Sequence, residues 1–192
     1  MGNRVFNPVN KASLESPERY KILPPFKTLK VMCLKEDDIM IDIGCGTGYF
    51  TLPASEITGP SGKVIGVDIS EDMLDEVRGK INGKGHNIEL KLADNIALPV
   101  KDSQGTFALL ANVLHEADDM MAMLAEANRV LKPGGRLAII EWEKSEMPVG
   151  PPVEHRLHHD EIMRMVMETG FTMAKISPAG AYHIACSALK RK

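Results

Sequence analysis

The chain has 192 residues, 44% of them hydrophobic, with a formal charge of −3 and a sequence pI near 6.1. That length suits one domain with its own core, and the slightly acidic balance argues against broad binding to nucleic acid or an anionic membrane surface. Three widely spaced cysteines, Cys33, Cys45 and Cys186, fit reduced thiols better than a disulfide frame or a CxxC metal site.

Taken in chain order, Met1 to Leu23 precede the first core element and hold no long apolar run, and Phe6 stands where a myristoylation signal carries Ser or Thr. No stretch is long enough to span a bilayer, so a cytoplasmic protein is expected. Ser16-Pro17-Glu18-Arg19-Tyr20 reads as a capped helical turn, which makes 1–23 an expected lid on a core of 24–192 within one domain, 1–192. Helices are predicted at Pro25 to Leu34, Tyr49 to Ile57, Glu71 to Ile81, Asp119 to Leu131 and Asp160 to Thr169. Strands are predicted at Ile39 to Ile43, Lys63 to Asp68, Ile88 to Ala93, Thr106 to Ala111, Arg136 to Trp142, Phe171 to Ser177 and Tyr182 to Leu189. Pro178-Ala179-Gly180 has the turn chemistry of a hairpin between the last two. Most of the twelve methionines fall at helical spacing on core-facing stripes, such as Met120 and Met123, or Met163 and Met167, while Met165 falls off its stripe. Lys190-Arg191-Lys192 reads as a solvated tail.

The densest signal is Asp42-Ile43-Gly44-Cys45-Gly46-Thr47-Gly48, which follows a short apolar strand and leads into a helix. Glycines there let a ligand lie directly on backbone N–H groups at a helix N-terminus. Their spacing is G-x-G-x-G, whereas the dinucleotide fingerprint is G-x-G-x-x-G. Twenty residues after Gly48 the second strand ends in Asp68, where a carboxylate accepts bonds from ribose hydroxyls. Asp42, Asp68, Glu71, Asp72 and Asp94 crowd the strand ends, with no Lys or Arg among 69–75 to meet a pyrophosphate. S-adenosylmethionine, a net cation with its sulfonium and ammonium set against one carboxylate, suits that charge. Glu71 and Asp72 equally fit the acidic first turn of a helix.

With Val67-Asp68, Ala93-Asp94, Asn112-Val113-Leu114-His115-Glu116 and Arg129-Val130-Leu131-Lys132-Pro133-Gly134-Gly135 in the same order, the chain resembles a class I S-adenosylmethionine-dependent methyltransferase over about Pro17 to Ala188. The last run is similar to the branch that includes the ubiquinone and menaquinone C-methyltransferases. The resemblance implies an α/β, Rossmann-like fold with a seven-stranded, mostly parallel sheet of order 3-2-1-4-5-7-6, an antiparallel last strand and helices on both faces. It also implies a small-molecule acceptor; from charge, cysteine spacing and apolar run length no nucleic-acid partner, metal or membrane insertion is expected, and an oligomer is left open. Phe107-Ala108 stands where the wider family often shows Phe-Asp, and the branch's substrate motifs are not recognisable, so no acceptor follows.

On that resemblance Gly44, Cys45, Gly46, Thr47 and Gly48 line the methionine moiety of the cofactor, Cys45 packing as a small apolar side chain. Asp42 holds the loop or the ammonium, Asp68 both ribose hydroxyls, and Ile69 and Met73 the adenine, with Asp94 and Asn95 at the base's amino group and Asn112 at the cofactor's far end. Asp94 is also a fitting turn cap. Methyl transfer needs a base where the acceptor is a hydroxyl or a carbon acid, and His115 is the candidate, against a plain role in bonding loop backbone. The Pro-rich run Glu141 to Arg156 is either a connector or an acceptor-facing loop offering Glu143, Glu154, His155 and Arg156. Two other functions stay open: a NAD(P)-dependent oxidoreductase, and a non-catalytic cofactor-binding module.

Overall fold

The computed structural model describes residues 16–81, 87–94 and 97–192. Residues 1–15 of the expected lid, and Asn95, lie outside them. In chain order the elements are α1 (Pro17–Ile22), α2 (Pro25–Val31), β1 (Ile39–Ile43), α3 (Thr51–Thr58), β2 (Lys63–Asp68), α4 (Glu71–Ile81), β3 (Ile88–Leu92), β4 (Gly105–Ala111), α5 (Met120–Val130), β5 (Leu131–Trp142), α6 (His159–Glu168), β6 (Phe171–Ala179) and β7 (His183–Lys190). Single 3-10 turns at Leu114–Glu116 and Val153–His155 follow β4 and β5.

The strands form one sheet in the order β3-β2-β1-β4-β5-β7-β6, with β7 antiparallel to both its neighbours. That is the implied order. The central strands are apolar on both faces because helices cover both. On one face Ile41, Ala108, Leu110, Leu137 and Ile139 meet Leu124 and Ala127 of α5 and Ile162 and Val166 of α6. On the other, Met40, Phe107, Leu109, Ala138 and Ile140 meet Leu23, Leu29 and Ala54. Consecutive strand residues thus alternate between two cores, as the pleat requires. The strand ends, and the loops leaving them, gather the candidate site at one edge.

Local chemistry moves several boundaries. The expected helix to Leu34 stops at Val31: Cys33, at φ 65, reverses the backbone, and Leu34 N donates to Leu29 O while Cys33 N donates to Lys30 O. This is a Schellman end, and it leaves Cys33 exposed beyond the helix instead of on it. The last hairpin turns later than Pro178–Gly180 suggests, since Pro178 and Ala179 still pair with Ile184 and His183. Gly180, at φ 64, sets the turn, because a Cβ there would overlap the Ile22 carbonyl, and Ala181 N bonds that same carbonyl at 2.8 Å. On α6, Met165 packs against the core while Met167 is exposed, reversing the expected pair; the buried arc runs 162, 165, 166. Lys190 is no free tail, because its ammonium donates to Asn128 O and Leu131 O at the C-terminal end of α5.

Candidate active site

The glycine loop is built from backbone. Gly44 N and Cys45 N both donate to Val67 O, so the loop between β1 and α3 is held against the end of β2. One residue on, the Asp68 carboxylate takes Gly46 N at 2.8 Å through Oδ2 and Ser70 N at 2.9 Å through Oδ1. The carboxylate keeps acceptor capacity beyond these bonds, enough for a ribose hydroxyl. Burial raises the Asp68 pKa, and the N–H groups of Ser70, Gly46 and Ile69 pull it back. Lys80 of α4 reaches across to Thr47 O at 2.8 Å and pins the loop from outside. Gly44, at φ 71, lies so close to Val113 that a Cβ would overlap its Cγ2, which couples this loop to the residues after β4.

Beneath the loop, Asp42 is 2% exposed and accepts the Thr51 hydroxyl at 2.6 Å. Burial pushes its carboxyl up to about 7, the Thr51 bond opposes that, and the nearby Asp68 charge adds to it. Burial, together with Asp42 and Asp68, raises the Cys45 thiol far enough that it stays protonated and packs against Gly66. The Thr47 hydroxyl is buried without a protein partner. These features fit S-adenosylmethionine: a glycine cradle for the chain, carboxylates for the ribose and cationic end, and a buried hydroxyl without a partner in the same loop. Ile69, 55% exposed, leaves an apolar surface open beside Asp68, whereas Met73 is buried in the first turn of α4. Asp94 is exposed just past β3.

At the ends of β4 and β5, side chains form the site. Leu114 N and His115 N both donate to Glu141 Oε1, at 2.9 and 3.2 Å, and His115 Nδ1 lies 2.6 Å from Glu141 Oε2. Glu141 is 1% exposed and His115 8%. Burial lowers the imidazole's proton affinity, but the Glu141 bond and charge, with Glu116, outweigh it and raise the pKa above the ordinary value. Trp142, the next residue on β5, points to the opposite face, where its ring lies 4.0 Å from that of His183. His183 Nε2 is 3.3 Å from Asn112 Nδ2. Successive residues of one strand therefore support two imidazoles, one on each side of the sheet.

Glu141, Trp142 and His183 escaped the sequence reading as site residues. A carboxylate closing the apolar run Leu137-Ala138-Ile139-Ile140 was the available signal for the first. Of the polar groups in the following loop, one is committed to the loop itself. Glu143, Glu154 and His155 are exposed, and Arg156, 4% exposed, donates to the carbonyls of Pro151, Glu143, Ser145 and Val149. It anchors the loop. Across the cofactor side lies α1, its Arg19 guanidinium 4.1 Å from the Tyr49 ring centre, while Tyr49 donates its hydroxyl to Leu23 O.

Comparison with known proteins agrees with this geometry. A demethylmenaquinone methyltransferase of Staphylococcus saprophyticus is 37% identical over 123 residues, 64% of this chain and 52% of its own length. That of Staphylococcus aureus is 32% identical over 152 residues, 77% of this chain and 62% of its own. The chain thus spans about half to three-fifths of these curated relatives. A crystal structure of a SAM-dependent methyltransferase from Aquifex aeolicus superposes with a TM-score of 0.91 at 30% identity, covering 96% of this chain and 99% of that one. This likeness establishes the Rossmann-like methyltransferase fold. The sequence model of the ubiE/COQ5 methyltransferases matches residues 12–178, from before α1 into β6, and by that match the chain belongs to the ubiE/COQ5 methyltransferase family.

Proposed function

We propose that this chain is an S-adenosylmethionine-dependent methyltransferase acting on a small-molecule acceptor, with His115 as its general base. The observation that carries the reading is Asp68, fixed by Gly46 N and Ser70 N with acceptor capacity to spare, at the end of a strand beside an acid-lined glycine loop. Gly44, Gly46, Gly48 and Thr47 would hold the methionine part, Asp42 would face its positive end, and Ile69 would cover the base. When bound, S-adenosylmethionine supplies a methyl carbon already activated by a sulfonium. Alignment, exclusion of water and one proton are then left to the protein. His115 takes that proton at Nε2, while Glu141 at Nδ1 fixes the tautomer and stabilises the imidazolium. Because the imidazole's pKa is raised, the active neutral form is gained as pH rises through that value.

We read 1–192 as one methyltransferase unit in the cytoplasm, without nucleic-acid partners and with an oligomer open. No helix among the described residues is long and apolar enough to cross a membrane. The demethylmenaquinone in the relatives' names is the natural first acceptor to assay, with transfer of a labelled methyl group and calorimetric binding of S-adenosylhomocysteine as readouts. His115→Gln should keep cofactor affinity and lower turnover about 10²–10⁴-fold. A change under about tenfold, well short of a general base's usual share, removes His115 from the chemistry. Binding of NAD(H) with none of S-adenosylhomocysteine would overturn the whole reading.

A further inference from the structure

Val77 and Lys80 of α4 stand three positions apart, so they share one face of the helix, and they meet consecutive residues of the glycine loop. Val77 is buried beneath Gly48, where the backbone has φ 88 and a Cβ would lie 3.1 Å from the valine Cγ2. Lys80 Nζ donates to Thr47 O at 2.8 Å, across 33 residues of sequence. A helical side chain leans toward the N-terminal end of its helix. That lean lets an ammonium in the last turn of α4 reach back to the loop.

The peptide group between Thr47 and Gly48 is thereby held at both ends. Its carbonyl takes Lys80, and its N–H donates to Cys45 O at 3.0 Å. Because the peptide is planar, fixing its oxygen and its nitrogen leaves it no rotation, and the residues on either side take their direction from it. One is Thr47, whose side chain is buried with its hydroxyl unpaired in the protein. The other is Gly48, at the entry to α3.

The opposite end of α4 serves the same site. Just ahead of the helix, Ser70 N donates to the Asp68 carboxylate. A helix of 11 residues is a rod of about 16 Å, and here it spans from the acid read as the ribose partner to the loop read as the seat of the methionine part. Lys80 is the polar tie at the loop end. Arg78, exposed on the same helix, instead pairs with Glu71 and Asp75 and supports α4 from the solvent side.

We propose that Lys80 is a positioning residue for the cofactor: by holding the Thr47 carbonyl it sets the glycine loop to receive the amino-acid end of S-adenosylmethionine. The inference rests on the methyltransferase reading above. Lys80 acts through the loop backbone, so its removal is felt at that end of the ligand and not at the base or ribose.

Binding by two ligands tests this. S-adenosylhomocysteine carries both ends, while 5′-methylthioadenosine keeps the base and ribose and lacks the amino acid. Lys80→Met, which keeps an apolar stem and removes the donor, should weaken S-adenosylhomocysteine about five- to tenfold, the share of a typical hydrogen bond, and leave methylthioadenosine unchanged. Lys80→Arg should recover most of the loss. Arg78→Met should bind both ligands as the wild type does, and thermal unfolding checks that every variant is folded. Equal affinity for S-adenosylhomocysteine in Lys80→Met, an equal loss for both ligands, no recovery in Lys80→Arg, or the same loss in Arg78→Met would each show that Lys80 supports the helix alone, and the methyltransferase reading would stand. If the wild type fails to bind S-adenosylhomocysteine, that reading falls and this inference with it.

Discussion

The two halves of the sheet edge make a site in opposite ways. On the β1–β2 side, main-chain groups do the holding: Gly44 N, Cys45 N and Gly46 N bond the end of β2 directly, and the key carboxylate is fixed by N–H groups no more than 22 residues away. On the β4–β5–β7 side, side chains hold each other across 26 and 71 residues, His115 on Glu141 and Asn112 on His183. A backbone site tolerates many ligands of one shape, because N–H groups do not change with sequence. A side-chain site can be altered one residue at a time.

The largest effect expected is on the side-chain half. Glu141→Ala would strand three buried donors, at Leu114, His115 and the imidazole, and should destabilise by roughly 3–5 kcal/mol, as removal of one member of a buried charged pair does. Thermal unfolding measures it, with Glu141→Gln expected to retain part of the loss. Wild-type stability should also fall as pH rises through the raised His115 pKa, because the bound proton stabilises the folded form below it. That slope should vanish in Glu141→Gln.

Next comes the seam between the halves. Gly44→Ala adds a Cβ where Val113 already stands, at a φ of 71, and should lose roughly 1–3 kcal/mol through strain and overpacking. Val113→Ala in the same chain should return the overpacking part, leaving only the dihedral strain. No rescue would mean that the halves are not coupled through this contact.

On the backbone half, Asp68→Ala should keep the fold and weaken S-adenosylhomocysteine binding by about 1–3 kcal/mol, the usual loss for hydrogen bonds to a charged group. Equal affinity in a folded Asp68→Ala protein would end the ribose assignment. The smallest effect is a titration. Asp42, raised to about 7, stabilises the folded chain only while protonated, a benefit lost as pH climbs to that value. A ligand's ammonium should favour the ionised form, so affinity should rise by about threefold in all between about pH 5 and 7, with proton release seen as buffer-dependent heats. In Asp42→Asn the slope should flatten.

The sequence by itself determined the strands, the loop and its ligand class, because those depend on spacing over a few residues, while the order of the strands in the sheet came from the family resemblance. Three alternating glycines after an apolar strand, and an acid at the end of the next one, restrict the backbone to few conformations wherever they occur. It also determined that His115 follows β4, but not what His115 does. Its buried partner is Glu141, at the end of β5 beside the loop after β4, which nothing in the sequence advertises as a partner. The same holds for Arg156, read as one possible polar contact of a loop that was connector or acceptor-facing and spent on four loop carbonyls, and for His183, read as part of a strand and found beneath Trp142 with one nitrogen unclaimed. Only the tertiary structure showed these contacts, for one physical reason: a buried polar group takes its protonation and tautomer from whichever group lies within about 3 Å, and distance along the chain does not set that neighbour.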